Sequence, residues 1–159
     1  MSGGPPPFQR FLEQQRETVW RFLAASVGPG DADDCFQETF ISALRAYPRL
    51  RADSNLRAWV LTIAHRKALD VHRARARGAL PVAEPETLAG GAEMAPEMRD
   101  RELWEAIEGL PARQRSAVLL RYVGDLPHRD IAAAIGCSEQ AARRSLHEGL
   151  AKLRKAVIA

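Results

Sequence analysis

Residues 126–153 read LPHRDIAAAIGCSEQAARRSLHEGLAKL. Two helical patterns meet there at one glycine. Pro127 opens the first, in the position where a missing N–H is harmless. It runs from His128 to Ile135. Gly136 and Cys137 make the turn, and Gly136 can take the positive φ that a tight corner needs. Ser138 is a good N-cap, and the second helix continues from it to about Ile158. Ile131, Ile135, Leu146 and Leu150 face inward, and Ala132 is small where the helices must cross. The pattern predicts a helix-turn-helix. Gln140, Arg144, His147 and Glu148 fall opposite the buried stripe, with Arg143 on its flank. Such groups reach base edges and phosphates in a major groove. A plain helical hairpin with a solvated charged face would carry the same pattern.

Working outward, the rest of the chain also reads as helix. Alternating runs and Asn-Gly turns are missing, so strand signals are nearly absent. A first helix is expected over Phe8–Ser26, with Phe11, Val19, Phe22 and Leu23 as its apolar positions and Gly28, Pro29 and Gly30 as its stop. A second is expected from Asp31, as N-cap, to Tyr47, with Phe36, Phe40, Ala43, Leu44 and Tyr47 on one face. A third spans about Ser54–Arg77, burying Val60, Ile63, Ala64, Ala68 and Val71. Two more are expected over Asp100–Gly109 and Pro111–Tyr122. Between the third and fourth, residues 78–99 carry prolines and glycines and no sustained period, which reads as a flexible linker. Fully stretched, such a linker spans up to about 70 Å, and as a coil it averages roughly 25 Å. The predicted fold is therefore all-α. A loose tail (1–7) precedes an N-terminal helical bundle (8–77), and the linker joins it to a C-terminal helix-turn-helix domain (100–159).

Charge follows the same divisions. The net charge of +3 says little. Counted by segment, residues 1–64 are neutral, 65–80 carry +4, 81–108 carry −6 and 109–159 carry +5. Two basic blocks flank an acidic one. Basic blocks attract phosphate and an acidic spacer is repelled by it.

The basic end of the third helix presents Arg66, Asp70, Arg73 and Arg77 on one face, continued by Trp59 and Thr62, with Lys67 and Arg75 nearby. An aromatic beside arginines can stack on unpaired bases while the arginines hold phosphates. Trp59 as a core residue and the arginines as a solvated helix end are the alternatives. The second helix turns Asp31, Asp34, Glu38 and Arg45 outward together with Ile41. An exposed apolar residue among carboxylates suits a protein partner better than DNA.

Other classes find little support. The four histidines lack metal-ligand spacing, and no P-loop, GxGxxG or GxSxG occurs. Neither an enzyme nor a cofactor or metal is expected. Cys35 and Cys137 belong to no CxxC pair and read as small buried hydrophobes. No apolar run approaches the ~20 residues of a membrane span, and the first ten residues lack a secretory signal. A cytoplasmic protein without membrane insertion is expected.

Three blocks of sequence resemble one family. DADDCFQETFISALRAY (31–47), NLRAWVLTIAHRKALDVHRARAR (55–77) and the stretch from Leu110 to Arg154 are similar, in that order, to the extracytoplasmic-function (ECF) sigma factors of the sigma-70 family. The resemblance implies a dissociable subunit that binds core RNA polymerase and directs initiation at particular promoters. It places Asp31, Asp34, Gln37, Glu38 and Ile41 on the polymerase-binding helix. It assigns Trp59, Arg66, Arg73, Arg75 and Arg77 to minus-ten DNA. It assigns Gln140, Arg143, Arg144 and His147 to the minus-thirty-five element. It also allows an anti-sigma protein as a further partner. The chain departs from the family's usual residues at His65 and Arg66, at Gln140, Ala141 and Ala142, and at Arg143, Arg144 and Ser145, so its promoter sequence does not carry over. The competing readings are a stand-alone helix-turn-helix regulator and a nucleic-acid-modifying enzyme. The first would need a sensor or dimer domain in place of the 31–47 helix, and the second lacks a nucleophile or metal constellation.

Overall fold

The structure, a computed structural model, describes residues 4–51, 54–78 and 98–158. Seven α-helices and one 3-10 turn fill the described residues, with no strand among them. Three helices form the first domain: α1 (Phe8–Val27), α2 (Pro29–Ala46) and α3 (Leu56–Ala76). Four form the second: α4 (Met98–Glu108), α5 (Ala112–Tyr122), α6 (His128–Ile135) and α7 (Glu139–Ile158).

The helix ends follow local chemistry. Gly28, at φ +89°, both closes α1 and opens α2. Pro29 then stands in the first turn of α2, where its ring is already shaped for helix. The expected stop at 28–30 is thus half a start, and α2 begins ahead of the Asp31 cap. Helix α3 starts two residues later than expected, because Asn55 caps it by accepting from Ala58 N–H at 3.1 Å. Of the expected linker, residues 79–97 lie outside the described ones, while Met98 and Arg99 already belong to α4. The tail is less loose than its composition suggests: the Tyr47 hydroxyl donates to the Pro6 carbonyl.

The core of the first domain is aromatic. Phe11 is fully buried, with ring centroids 5.3 Å from Tyr47, 5.7 Å from Trp59 and 6.2 Å from Phe40. Phe22, Leu23 and Val19 on α1 and Val60 and Ala64 on α3 complete it. The second domain is aliphatic, built on Leu119, Leu120, Leu126, Ile131, Ala142 and Leu146.

The two domains dock, with α6 and α5 packed against α3 and α1. They approach closely at Gly124, where a Cβ would stand 2.7 Å from Leu61 Cδ1 and 2.7 Å from the Leu120 carbonyl oxygen. No side chain fits there without a shift. The α3 stripe departs from expectation where Leu61 meets Gly124 of the second domain and beyond. Leu61 and His65 are buried in addition to Val60, Ala64 and Ala68, while Ile63 and Val71 are only half-buried. A helix covered from two sides loses a one-sided period.

Candidate polymerase and nucleic-acid surfaces

Three surfaces can be built from the residues upward. On α2, Ala32, Cys35, Thr39 and Ala43 turn into the bundle at helical spacing. The opposite face carries Asp34, Gln37, Glu38, Ile41, Leu44 and Arg45, all exposed. Ile41 is 50% and Leu44 54% exposed. Leu44 was expected on the buried face with Phe40, but α1 and α3 do not reach that far round the helix, so it joins Ile41 outside. Two aliphatic side chains ringed by carboxylates make an apolar centre with a charged rim, the anatomy of a protein contact. Asp31 stands apart from this face, since its carboxylate is paired with Arg75 of α3.

The second surface is a groove of about 590 Å³ between α2 and α3, lined among others by Ser42, Trp59, Ile63, Arg66, Asp70 and Arg73. Trp59 belongs to the core and to the groove wall at once. One side of the ring rests on Phe11 and Tyr47 in the core, and the residue also lines the groove. Core packing holds the indole rigid, which is what a stacking platform needs. Arg66, Arg73 and Arg77 are exposed. Arg75 is not part of this face. Its guanidinium donates to the Val27 carbonyl at 2.6 Å and pairs with Asp31, so it ties α3 to the junction of α1 and α2.

The third surface is the outer face of α7. Gly136 adopts the left-handed conformation at φ +80°, ψ +41°. The Ser138 hydroxyl accepts from Ala141 N–H at 3.1 Å, capping the helix as expected. Ala142 is fully buried and Leu146 nearly so, which fixes the helix's rotation. Gln140, Arg143, Arg144 and His147 all point outward and exposed. Glu139 holds Arg143 at 3.0 Å one turn away, leaving Arg144 as the unpaired guanidinium of the first two turns among the described residues.

Titratable groups behave as structure rather than chemistry. Burial, with carboxylates of α2 nearby, pushes the Cys35 thiol up to about 11, so it stays protonated and unreactive. Burial drives His65 down to about 4, and neither ring nitrogen has a hydrogen-bond partner among the described residues. No cluster of His, Cys, Asp or Glu suited to a metal occurs among the described residues, and no described helix is long and apolar enough to cross a membrane. Sequence reasoning missed Leu44, Leu61, His72 and Arg115. The last two meet across the domain junction, where no periodicity within one helix could reveal them.

Comparison with known proteins gives the following. Residues 11–78 match the family described as sigma-70 region 2, and residues 100–153 match sigma-70, region 4. The ECF RNA polymerase sigma factor SigC of Mycobacterium tuberculosis is 36% identical over 138 residues, covering 85% of this chain and 75% of that one. SigD of the same organism is 32% identical over 171 residues, covering 100% and 81%. Among solved structures, RpoE of Bartonella quintana in complex with the anti-sigma factor NepR superposes with a TM-score of 0.82 at 21% identity, covering 96% and 97%. That likeness is one of fold.

Proposed function

The chain belongs to the ECF sigma factors of the sigma-70 family, and on that premise we propose that its three exposed surfaces divide the work of promoter-specific transcription initiation. The outer face of α2, with Asp34, Gln37, Glu38, Ile41 and Leu44, binds core RNA polymerase. The groove of α3 holds the minus-ten region as single strand: Trp59 stacks on an unpaired base while Arg66, Arg73 and Arg77 neutralise phosphates. The outer face of α7 enters the major groove of the minus-thirty-five element through Gln140, Arg143, Arg144 and His147. Domain limits at 8–77 and 100–159 suit this division. The protein acts in the cytoplasm by binding rather than by catalysis, and an anti-sigma partner would act on these same surfaces.

The observation that carries the reading is the pairing, in one chain, of a rigid aromatic beside exposed arginines with a capped recognition helix on a second domain. One face reads melted strand and the other duplex. A regulator confined to duplex DNA has no use for the first. The test is reconstitution with core polymerase on a library of promoters. Wild type should give initiation at a defined subset. Asp34→Arg combined with Glu38→Arg should lose co-purification with core polymerase while keeping its helical content, because surface reversals cost little stability. Full retention of polymerase by that double variant would remove the α2 assignment. Duplex binding without any polymerase-dependent initiation would favour the stand-alone regulator.

A further inference from the structure

The domain junction holds a cluster that none of these surfaces uses. His72 lies on α3, and its Nε2 is 3.3 Å from Arg115 Nη1 on α5 of the other domain. A guanidinium only donates, so this nitrogen accepts, and the ring is neutral with its proton on Nδ1. On the ring's other side, the main chain of Ser26 near the end of α1 favours the charged ring. Arg115 is held in place by the carbonyls of Glu108 and Leu110, each at 3.0 Å. One imidazole of the first domain thus meets a fixed guanidinium of the second.

We propose that His72 and Arg115 form an acid-released latch between the two domains. A proton taken from solvent onto Nε2 converts the acceptor into a second donor aimed at the guanidinium. The hydrogen bond is lost, and a positive charge appears within hydrogen-bond distance of another. The charged groups around the ring do not compensate. On α3 itself, Arg75 adds repulsion, although its guanidinium is paired with Asp31 of α2, and His65 adds more when charged. From α5 comes Arg115, and from α4 comes Glu108, an exposed carboxylate whose attraction acts on Arg115. From α1 comes the Ser26 main chain, which favours the charged ring but is outweighed by burial and the two guanidinium groups.

The sign follows from these neighbours. Burial first, then Arg115 and Arg75, hold the docked imidazole below its ordinary value of 6.5. Separation of the domains removes Arg115 and returns the ring towards that value. The docked form therefore binds fewer protons, and docking weakens as pH falls below about 6.5. The polar pairs elsewhere in the junction add little. Asn55 donates to Asp130 at 3.4 Å and Arg57 stands 3.9 Å from Asp125, both in solvent, where such pairs contribute little. Leu61 beneath Gly124 supplies the apolar contact. Docked, the α3 groove and the α7 face are held in one fixed relation. Released, they can occupy separate sites on a long ligand.

This inference goes beyond the promoter-reading proposal and does not need it, since the experiment uses the free full-length chain without polymerase or DNA. Small-angle scattering is recorded from pH 8 to 5.5, with far-UV circular dichroism alongside. A compact chain of 159 residues has a radius of gyration of roughly 15 Å. Wild type should lie near that value at pH 8 and expand by several ångströms below about pH 6.5, with its helical signal unchanged. His72→Gln, whose amide can accept from Arg115 and donate to a main-chain carbonyl, should stay compact throughout. His65→Leu should keep the wild-type expansion. A constant radius in wild type, an equal expansion in His72→Gln, or an expansion that tracks loss of helix would each overturn the latch.

Discussion

Helices α3 and α7 have 21 and 20 residues, and both are basic towards one end, yet the fold treats them oppositely. Helix α7 buries one stripe and leaves a clean outer face. On that face Arg144 and His147 are exposed, while Glu139 holds Arg143. Helix α3 is covered by α1 and α2 on one side and by the second domain on another. The strip at Trp59, Arg66, Asp70 and Arg73 lines a groove rather than a convex face. A convex helix fits into a DNA groove, whereas a concave, rigid, aromatic-lined strip accepts a base that has left the stack. Shape, more than charge, separates the two surfaces.

The comparison can be broken first at the core. Phe11→Ala removes the ring on which Trp59 rests and should destabilise the first domain by about 3–5 kcal/mol. The aliphatic second domain does not share that ring, so urea unfolding should show an early transition for the first domain alone. A single shared shift would mean that the domains fold as one unit.

His65 provides the next largest effect. Its folded value of about 4 lies below the ordinary 6.5, so the folded state binds fewer protons. Stability should therefore be complete above about pH 6.5 and fall as pH drops towards 4, by about 3 kcal/mol at the lower end. His65→Leu should flatten that acid limb in pH-dependent denaturant melts. An unchanged limb would place the acid-sensitive group elsewhere. Nothing on α7 is buried in this way, so truncations of its outer face should leave the limb as it is.

Trp59→Ala sharpens the contrast between single strand and duplex. Stacking on one base contributes about 1–3 kcal/mol. Holoenzyme carrying this substitution should lose that much affinity for a pre-melted minus-ten template, with little change on an upstream duplex fragment. Competition binding to the two probes decides it, and equal losses on both would make Trp59 purely a core residue. The smallest effect belongs to Glu139→Ala. It frees Arg143 from an exposed pair worth at most about 0.5 kcal/mol, so thermal stability should barely move.

The helix-turn-helix was legible because each of its features is local. Gly136 supplies the corner, Ser138 the cap, Ala132 the crossing and Leu146 the inward stripe, and all stand where the pattern puts them. The exposed face of α2 was half legible. Ile41 was readable as outward from its carboxylate neighbours, but Leu44 was not, since its exposure depends on where α1 and α3 stop. Arg75 shows the same limit from the other side. Its position in a basic run suggested DNA, whereas Asp31 and the Val27 carbonyl, 44 and 48 residues away in sequence, draw it inward. The burial of Leu61 involves a second domain beyond the linker. Local periodicity carries information about one helix and its nearest cover, and it fades where a helix has two.

In the proposed function, α7 reads duplex sequence by direct contact while α3 grips strand and phosphate. Promoter-library selection with reconstituted holoenzyme, at two salt concentrations, tests it most directly. Arg144→Ala should relax the preference at one minus-thirty-five position, as expected for loss of a contact giving about 1–3 kcal/mol of discrimination. Arg77→Ala should weaken binding across all sequences and lower the salt slope by about one ion, with the upstream preference intact. An unchanged upstream preference in Arg144→Ala, together with a salt slope lowered as in Arg77→Ala, would contradict the account and make both arginines phosphate contacts.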